Sequence, residues 1–171
     1  MSSIKHKFSI IGLAETNTDP ANGNLYQLDG YTSCYQARYF CSKKNQTKSK
    51  GSGVCLYVNN SLNYNIINDL SLCTDYIETL FIEITSIQDH IVIGVVYRPP
   101  NGSIDQFNEA YEDILNKIID KKAYILGDFN INLLNTPSTA EDRYQETIFN
   151  CGFVPTINSY TPNAWLRENL H

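Results

Sequence analysis

The chain predicts an α/β fold, and three observations carry that prediction. Residues 90–96 and 123–126 are apolar runs that break off in polar groups, Tyr97-Arg98 in one and Gly127-Asp128-Phe129-Asn130 in the other. Apolar, β-branched runs of this length suit buried strands. Between them, residues 103–119 repeat apolar side chains at helical spacing. A strand, helix, strand crossover places both strands in one sheet with their C-terminal ends on the same side, where ligands bind in α/β sheets. Tyr97 and Asp128 are therefore expected at one edge. Taken alone, Gly-Asp-Phe-Asn also reads as an ordinary turn after a strand.

In chain order, residues 8–13 form a short buried strand that ends in Ala14-Glu15-Thr16-Asn17. Glu15 is either a solvated loop residue or a carboxylate delivered to the same edge. Residues 16–30 are polar and rich in turn formers, and residues 31–39 alternate weakly, as a half-exposed strand does. Lys43, Lys44, Lys48 and Lys50 make a basic loop, either a solvated hairpin tip or a contact for a phosphate backbone. Gly51-Ser52-Gly53 reads as a hairpin turn or bulge, because no Gly-Lys-Ser/Thr and no helix follow it.

Strands are expected at residues 54–58, 62–67 and 77–84. In the last of these, Leu80, Ile82 and Ile84 share one face, and Phe81 and Glu83 the other. A tight turn near Gln88-Asp89 leads into the strand at 90–97, whose end is fixed by Pro99 and Pro100. Ser103 and Gln106 form a capping box for the first helix, and Ile104, Phe107, Tyr111, Ile114, Leu115 and Ile118 line its buried face. The second helix is expected at 138–150, with Ser138 and Glu141 as its capping box and Gly152 as its stop. Residues 156–165 are polar, with room for one more strand. No repeat or linker divides the chain, so residues 1–171 read as one domain.

A length of 171 residues is enough to bury a substantial core. The net charge of −5 argues against nucleic-acid binding by bulk electrostatics, although carboxylates gathered at a metal site would contribute to the same total. Cys34, Cys41, Cys55, Cys73 and Cys151 are odd in number and contain no Cys-x-x-Cys, which suits reduced thiols in an intracellular protein. His6, His90 and His171 are scattered, so no zinc site is expected. No segment has the pattern of a signal peptide or the length of a membrane span. The sequons at Asn45, Asn59 and Asn101 are then chance matches in an Asn-rich chain.

Four segments taken together resemble the endonuclease/exonuclease/phosphatase superfamily, most closely the apurinic-type endonuclease domain of non-LTR retrotransposons. They are residues 10–16 (IIGLAET), 51–58 (GSGVCLYV), 94–101 (GVVYRPPN) and 127–132 (GDFNIN), in the family's order. The resemblance implies a two-sheet α/β sandwich flanked by helices, with Mg²⁺ or Mn²⁺ held at the strand edges. Glu15 matches the metal-binding glutamate, and Asp128 the aspartate that positions or deprotonates the attacking water. Asn130 matches the residue that holds the phosphate, and Tyr97 the tyrosine at the scissile phosphate. Asn101 matches the asparagine after the Tyr-Pro segment, in a register shifted by Arg98-Pro99-Pro100. Arg98 and the four loop lysines are the remaining expected phosphate or DNA contacts.

Chemistry agrees with these roles. In-line cleavage of a phosphodiester builds charge on its oxygens that a hard cation offsets, and the attacking water needs a base. The implied activity is metal-dependent nicking of DNA, in a nuclear setting and beside a reverse transcriptase of the same polyprotein. The chain departs from the pattern at both ends. No asparagine-bearing strand precedes residue 8, and His171 follows Leu170 where the family has Asp-His. An incomplete fold and impaired catalysis are therefore expected. Two other readings follow: an inactive remnant that binds nucleic acid or protein, and a phosphoesterase of the same fold acting on a non-nucleic-acid substrate.

Overall fold

Strands with no polar face need cover on both sides, and the two central strands of this chain have it. The computed structural model describes residues 8–17, 27–36, 53–86, 90–131 and 139–156. Among these, β1 (Ile10–Ala14), β2 (Tyr31–Gln36) and β3 (Val54–Asn59) form an antiparallel sheet in the order β1-β3-β2. A second sheet runs β4 (Tyr64–Ile66), β5 (Glu78–Ile84), β6 (Ile91–Tyr97), β7 (Lys122–Asp128), antiparallel except for the parallel pair β6–β7. Helices α1 (Ile104–Lys117) and α2 (Thr139–Asn150) lie on its outer side. The two-sheet α/β sandwich expected from the sequence is the observed fold.

The period-two alternation of β5 and β6 divides the interior into two cores. Leu80, Ile82, Ile84, Ile93, Val95 and Tyr97 face the first sheet and meet Val54, Leu56 and Val58 of β3. Phe81, Val92 and Val96 face outward and are covered by Phe107, Tyr111, Ile114 and Leu115 of α1 and by Tyr144 and Ile148 of α2. The helix face read from periodicity is the buried face. Ser103 caps α1 as expected, its hydroxyl accepting from the Gln106 N–H at 3.4 Å. The α2 terminus closes with Phe153 N–H donating to the Ile148 carbonyl and Gly152 N–H to that of Phe149, the paired bonds of a Schellman motif.

Two expectations are corrected. β7 is expected from the sequence to be a buried strand, yet among the described residues it borders its sheet, and Tyr124 is 63% and Leu126 42% exposed. Among the described residues β1 borders the other sheet, and Leu13 is 41% exposed where the sequence predicts burial. An apolar run reads alike in a central and a border strand, because only its neighbours decide which faces are covered. A 3-10 turn at Asn68–Leu70, not expected from the sequence, links β4 to β5.

The loop bearing Lys43, Lys44, Lys48 and Lys50, the Ser138 cap, and His171 with the residues before it lie outside the described residues. Among the described residues, Cys34, Cys55, Cys73 and Cys151 form no disulfide. No helix among the described residues is long and apolar enough to cross a membrane.

Phe107 is fully buried at the centre of an aromatic group, stacked on Tyr111 at 5.3 Å between ring centroids and flanked by Phe129 and Tyr144, each at 6.2 Å. Phe107→Ala is expected to lower unfolding stability by about 3–5 kcal/mol. Urea denaturation checks this, and a loss below about 1 kcal/mol would show that the group does not pack as one unit.

Candidate active site

The site is built where β6 and β7 end side by side. Their register pairs Val96 with Gly127 and Tyr97 with Asp128, and the Arg98 N–H continues the ladder to the Asp128 carbonyl at 3.0 Å. Gly127 has φ of +149°, and a Cβ there would fall on the Val96 carbonyl. Only glycine lets the strands stay this close one residue before the aspartate.

After Asp128 the chain folds into an Asx turn, with the Asn130 N–H donating to Asp128 Oδ1 at 3.1 Å. Asn130 has φ of +49°, a left-handed conformation that asparagine tolerates better than most residues. Its side-chain amide donates to the Arg98 carbonyl at 2.8 Å. Both Asp128 and Asn130 are solvent-exposed.

Arg98, expected at a phosphate, has a different placement. It is only 6% exposed, and its guanidinium faces backbone carbonyls. Nε donates to Phe129 at 2.7 Å, Nη1 to Gly102 at 2.9 Å and to Pro99 at 3.4 Å, and Nη2 to Asn130. The planar fork ties the loop carrying Asn130 to the turn at 99–102. Burial lowers the guanidinium's pKa, and the charge of Asp128 opposes that shift. Asn101 lies in the same turn and is exposed.

Glu15 comes to this place from the other sheet. The β1–β3 ladder pairs Ala14 with Val54, and its next bond runs from the Thr16 N–H to the Gly53 carbonyl at 3.1 Å. Glu15 is thus an extra residue on its strand, a bulge with φ of +53°. The bulge re-aims the side chain, and Glu15 Oε1 accepts the Tyr97 hydroxyl at 2.6 Å. Asn17 Nδ2 donates to the Glu15 carbonyl at 3.1 Å.

Tyr97 is 1% exposed and gathers the negative charges of the site. Burial pushes its hydroxyl pKa well above the ordinary value, and the bond to Glu15 and the charges of Glu15, Glu78 and Asp128 push it the same way. The phenol is a neutral donor at physiological pH.

Glu78, not singled out in the sequence, is the fully buried member of this group. It is the register partner of Tyr97, and its Oε2 accepts the Gly53 N–H at 2.6 Å. A carboxylate in the apolar run Ile77-Glu78-Thr79-Leu80, opposite the site tyrosine in a hairpin register, was the available signal.

Among the described residues no three His, Cys, Asp or Glu side chains stand together as a metal cage. Glu15 and Asp128 are nevertheless hard oxygen donors with exposed positions beside one tyrosine. Such a pair fits Mg²⁺, which keeps several waters and takes one or two carboxylates with substrate phosphate.

The fold has solved counterparts. The endonuclease domain of TRAS1, a telomere-specific non-LTR retrotransposon, superposes with a TM-score of 0.52 at 15% identity, covering 70% of this chain and 52% of that one. The human nocturnin catalytic domain, solved with a bound sulfate anion, gives 0.50 at 16% identity, covering 84% and 57%. The chain thus spans a little over half the length of the structures it matches. No family model matches the sequence, and no curated protein matches it. The two-sheet sandwich is the fold of these two domains, and it is the fold that the resemblance read from the sequence implies.

Two predictions follow from the geometry. Arg98→Lys is expected to cost about 1–3 kcal/mol, because a single ammonium cannot replace the fork and leaves buried carbonyls without donors. Denaturation measures that cost, and faster amide exchange at Asn130 would locate it. In alkali, a tyrosine whose pKa is raised by folding stays protonated in the native state while the unfolded chain ionises. Stability should therefore be intact below pH 10, the ordinary tyrosine value, and fall as pH rises above it. Tyr97→Phe is expected to remove its share, up to about 1.4 kcal/mol per pH unit, from the slope of unfolding free energy against pH. An unchanged slope would show that folding does not raise the pKa of Tyr97.

Proposed function

We propose that this chain carries the catalytic region of a metal-dependent phosphodiesterase that nicks DNA. The observation that supports the reading best is the convergence of Tyr97 and Asp128 at adjacent strand ends with Glu15 bonded to the tyrosine from the opposite sheet. Glu15 and Asp128 would hold Mg²⁺ or Mn²⁺, which when bound supplies positive charge to offset the charge that builds on phosphate oxygens. Asp128 is oriented by its Asx turn and exposed, so it can accept a proton from the attacking water. Tyr97, kept neutral, offers its hydroxyl to a phosphate oxygen when it is not bound to Glu15. Asn130, whose side chain is fixed against the Arg98 carbonyl, and Asn101 are both exposed and would contact the phosphate.

In this reading the substrate is DNA, with Lys43, Lys44, Lys48 and Lys50 as backbone contacts. The setting is nuclear, and a reverse transcriptase in the same polyprotein is the partner. The TRAS1 likeness supports that choice of substrate, and the sulfate bound to nocturnin suits an oxyanion site on this fold.

Conversion of supercoiled plasmid to nicked circles in Mg²⁺ tests the proposal. Nicking should stop with EDTA and fall at least ~100-fold in Glu15→Ala and in Asp128→Ala. Cleavage indifferent to both substitutions would refute the site assignment.

A further inference from the structure

We propose that Glu78 is a positioning residue that sets the metal-binding carboxylate of Glu15 from beneath the site, through the backbone of Gly53 and Thr16. The inference rests on the reading of Glu15 given above.

A fully buried carboxylate is costly wherever an apolar side chain would pack, unless it is hydrogen-bonded and has work that an apolar group cannot do. Glu78 has such a bond, and it crosses between the sheets. Its Oε2 on β5 accepts from Gly53 at the start of β3, at 2.6 Å. Gly53 has φ of +94°, a conformation other residues adopt only with strain. The carbonyl of the same residue accepts from Thr16 at 3.1 Å, and that bond closes the bulge at Glu15. Glu15 then accepts from Tyr97, whose register partner is Glu78. The connections form a ring: Glu78, Gly53, Thr16, Glu15, Tyr97 and back to Glu78.

The ring accounts for the left-handed backbone of Glu15. A non-glycine residue held there is strained and stays only when its surroundings over-determine it. One surrounding bond is Thr16 to Gly53, and Gly53 is in turn fixed by the carboxylate of Glu78. Without that anchor the bulge can relax into the regular ladder. In a strand, a shift of one position turns a side chain to the opposite face. Glu15 would then leave Tyr97 and Asp128.

Amide exchange and Mn²⁺ calorimetry on the whole chain separate this role from a plain contribution to stability. The variants are Glu78→Leu, Glu78→Asp and Glu78→Gln, with Leu80→Ala on the same strand as a control for loss of core packing. In Glu78→Leu the Thr16 amide should exchange faster than the loss of global stability explains, and Mn²⁺ should bind ~10-fold or more weakly. Glu78→Asp, too short to reach Gly53, should act in the same direction if the leucine variant does not fold. Glu78→Gln keeps an oxygen acceptor and should restore most of both. Leu80→Ala should change both only as far as its stability loss requires.

Thr16 exchange and Mn²⁺ affinity that follow stability alone in all three Glu78 variants would overturn the proposal. If the parent chain does not bind Mn²⁺, the metal reading of Glu15 fails by itself. The Thr16 comparison then decides whether the ring holds the bulge.

Discussion

Parallel strands cannot be joined by a tight turn, and the pairing of β6 with β7 therefore requires the crossover through α1. That pairing brings Tyr97 and Asp128 side by side at matched positions. It also sets the direction in which the chain leaves each strand, so that Arg98 and Asn130 face each other and exchange bonds. The opposite sheet then has one place to deliver Glu15, beside the Tyr97 hydroxyl. An antiparallel β6–β7 pair would put Asp128 at the far end of Tyr97's strand.

The parts of this arrangement set by repeated local pattern were legible in the sequence. The buried stripe of α1 carries Phe107, Tyr111, Ile114 and Leu115 at helical spacing, and the crossover rule converts the helix into a shared edge for Tyr97 and Asp128. What periodicity does not encode was not legible. The exposure of Tyr124 and Leu126 depends on what stands beside β7, and the sequence of β7 does not contain that information. Arg98 before two prolines looks like a surface cation, and its inward turn follows from carbonyls contributed by residues 99, 102, 129 and 130. The bulge at Glu15 needs a one-residue mismatch with β3, a property of two strands together.

The two cores are of different kinds. Between the sheets, aliphatic side chains from β3, β5 and β6 interdigitate, with Tyr97 at the end nearest the site. On the outer side the helices supply aromatic rings, and Phe129 packs among them within 5.7 Å of both Tyr111 and Tyr144. Phe129 lies between Asp128 and Asn130 in the chain. The loop that carries the two polar groups is therefore held from below by packing and from the side by the Arg98 guanidinium. Exposed polar residues on a loop keep a defined geometry when the residue between them is anchored in the interior.

The place of Phe129 bears on how such a sequence decays. With a ring packed against the core between the two polar residues, no long segment separates the helical packing from the carboxylate. A substitution that loosens Tyr111 or Tyr144 reaches Asp128 through a single peptide unit. Mutational drift in α1 and α2 would therefore displace Asp128 as surely as a change in the loop itself. A sequence can therefore keep every polar residue of the constellation and still have lost the means to aim them.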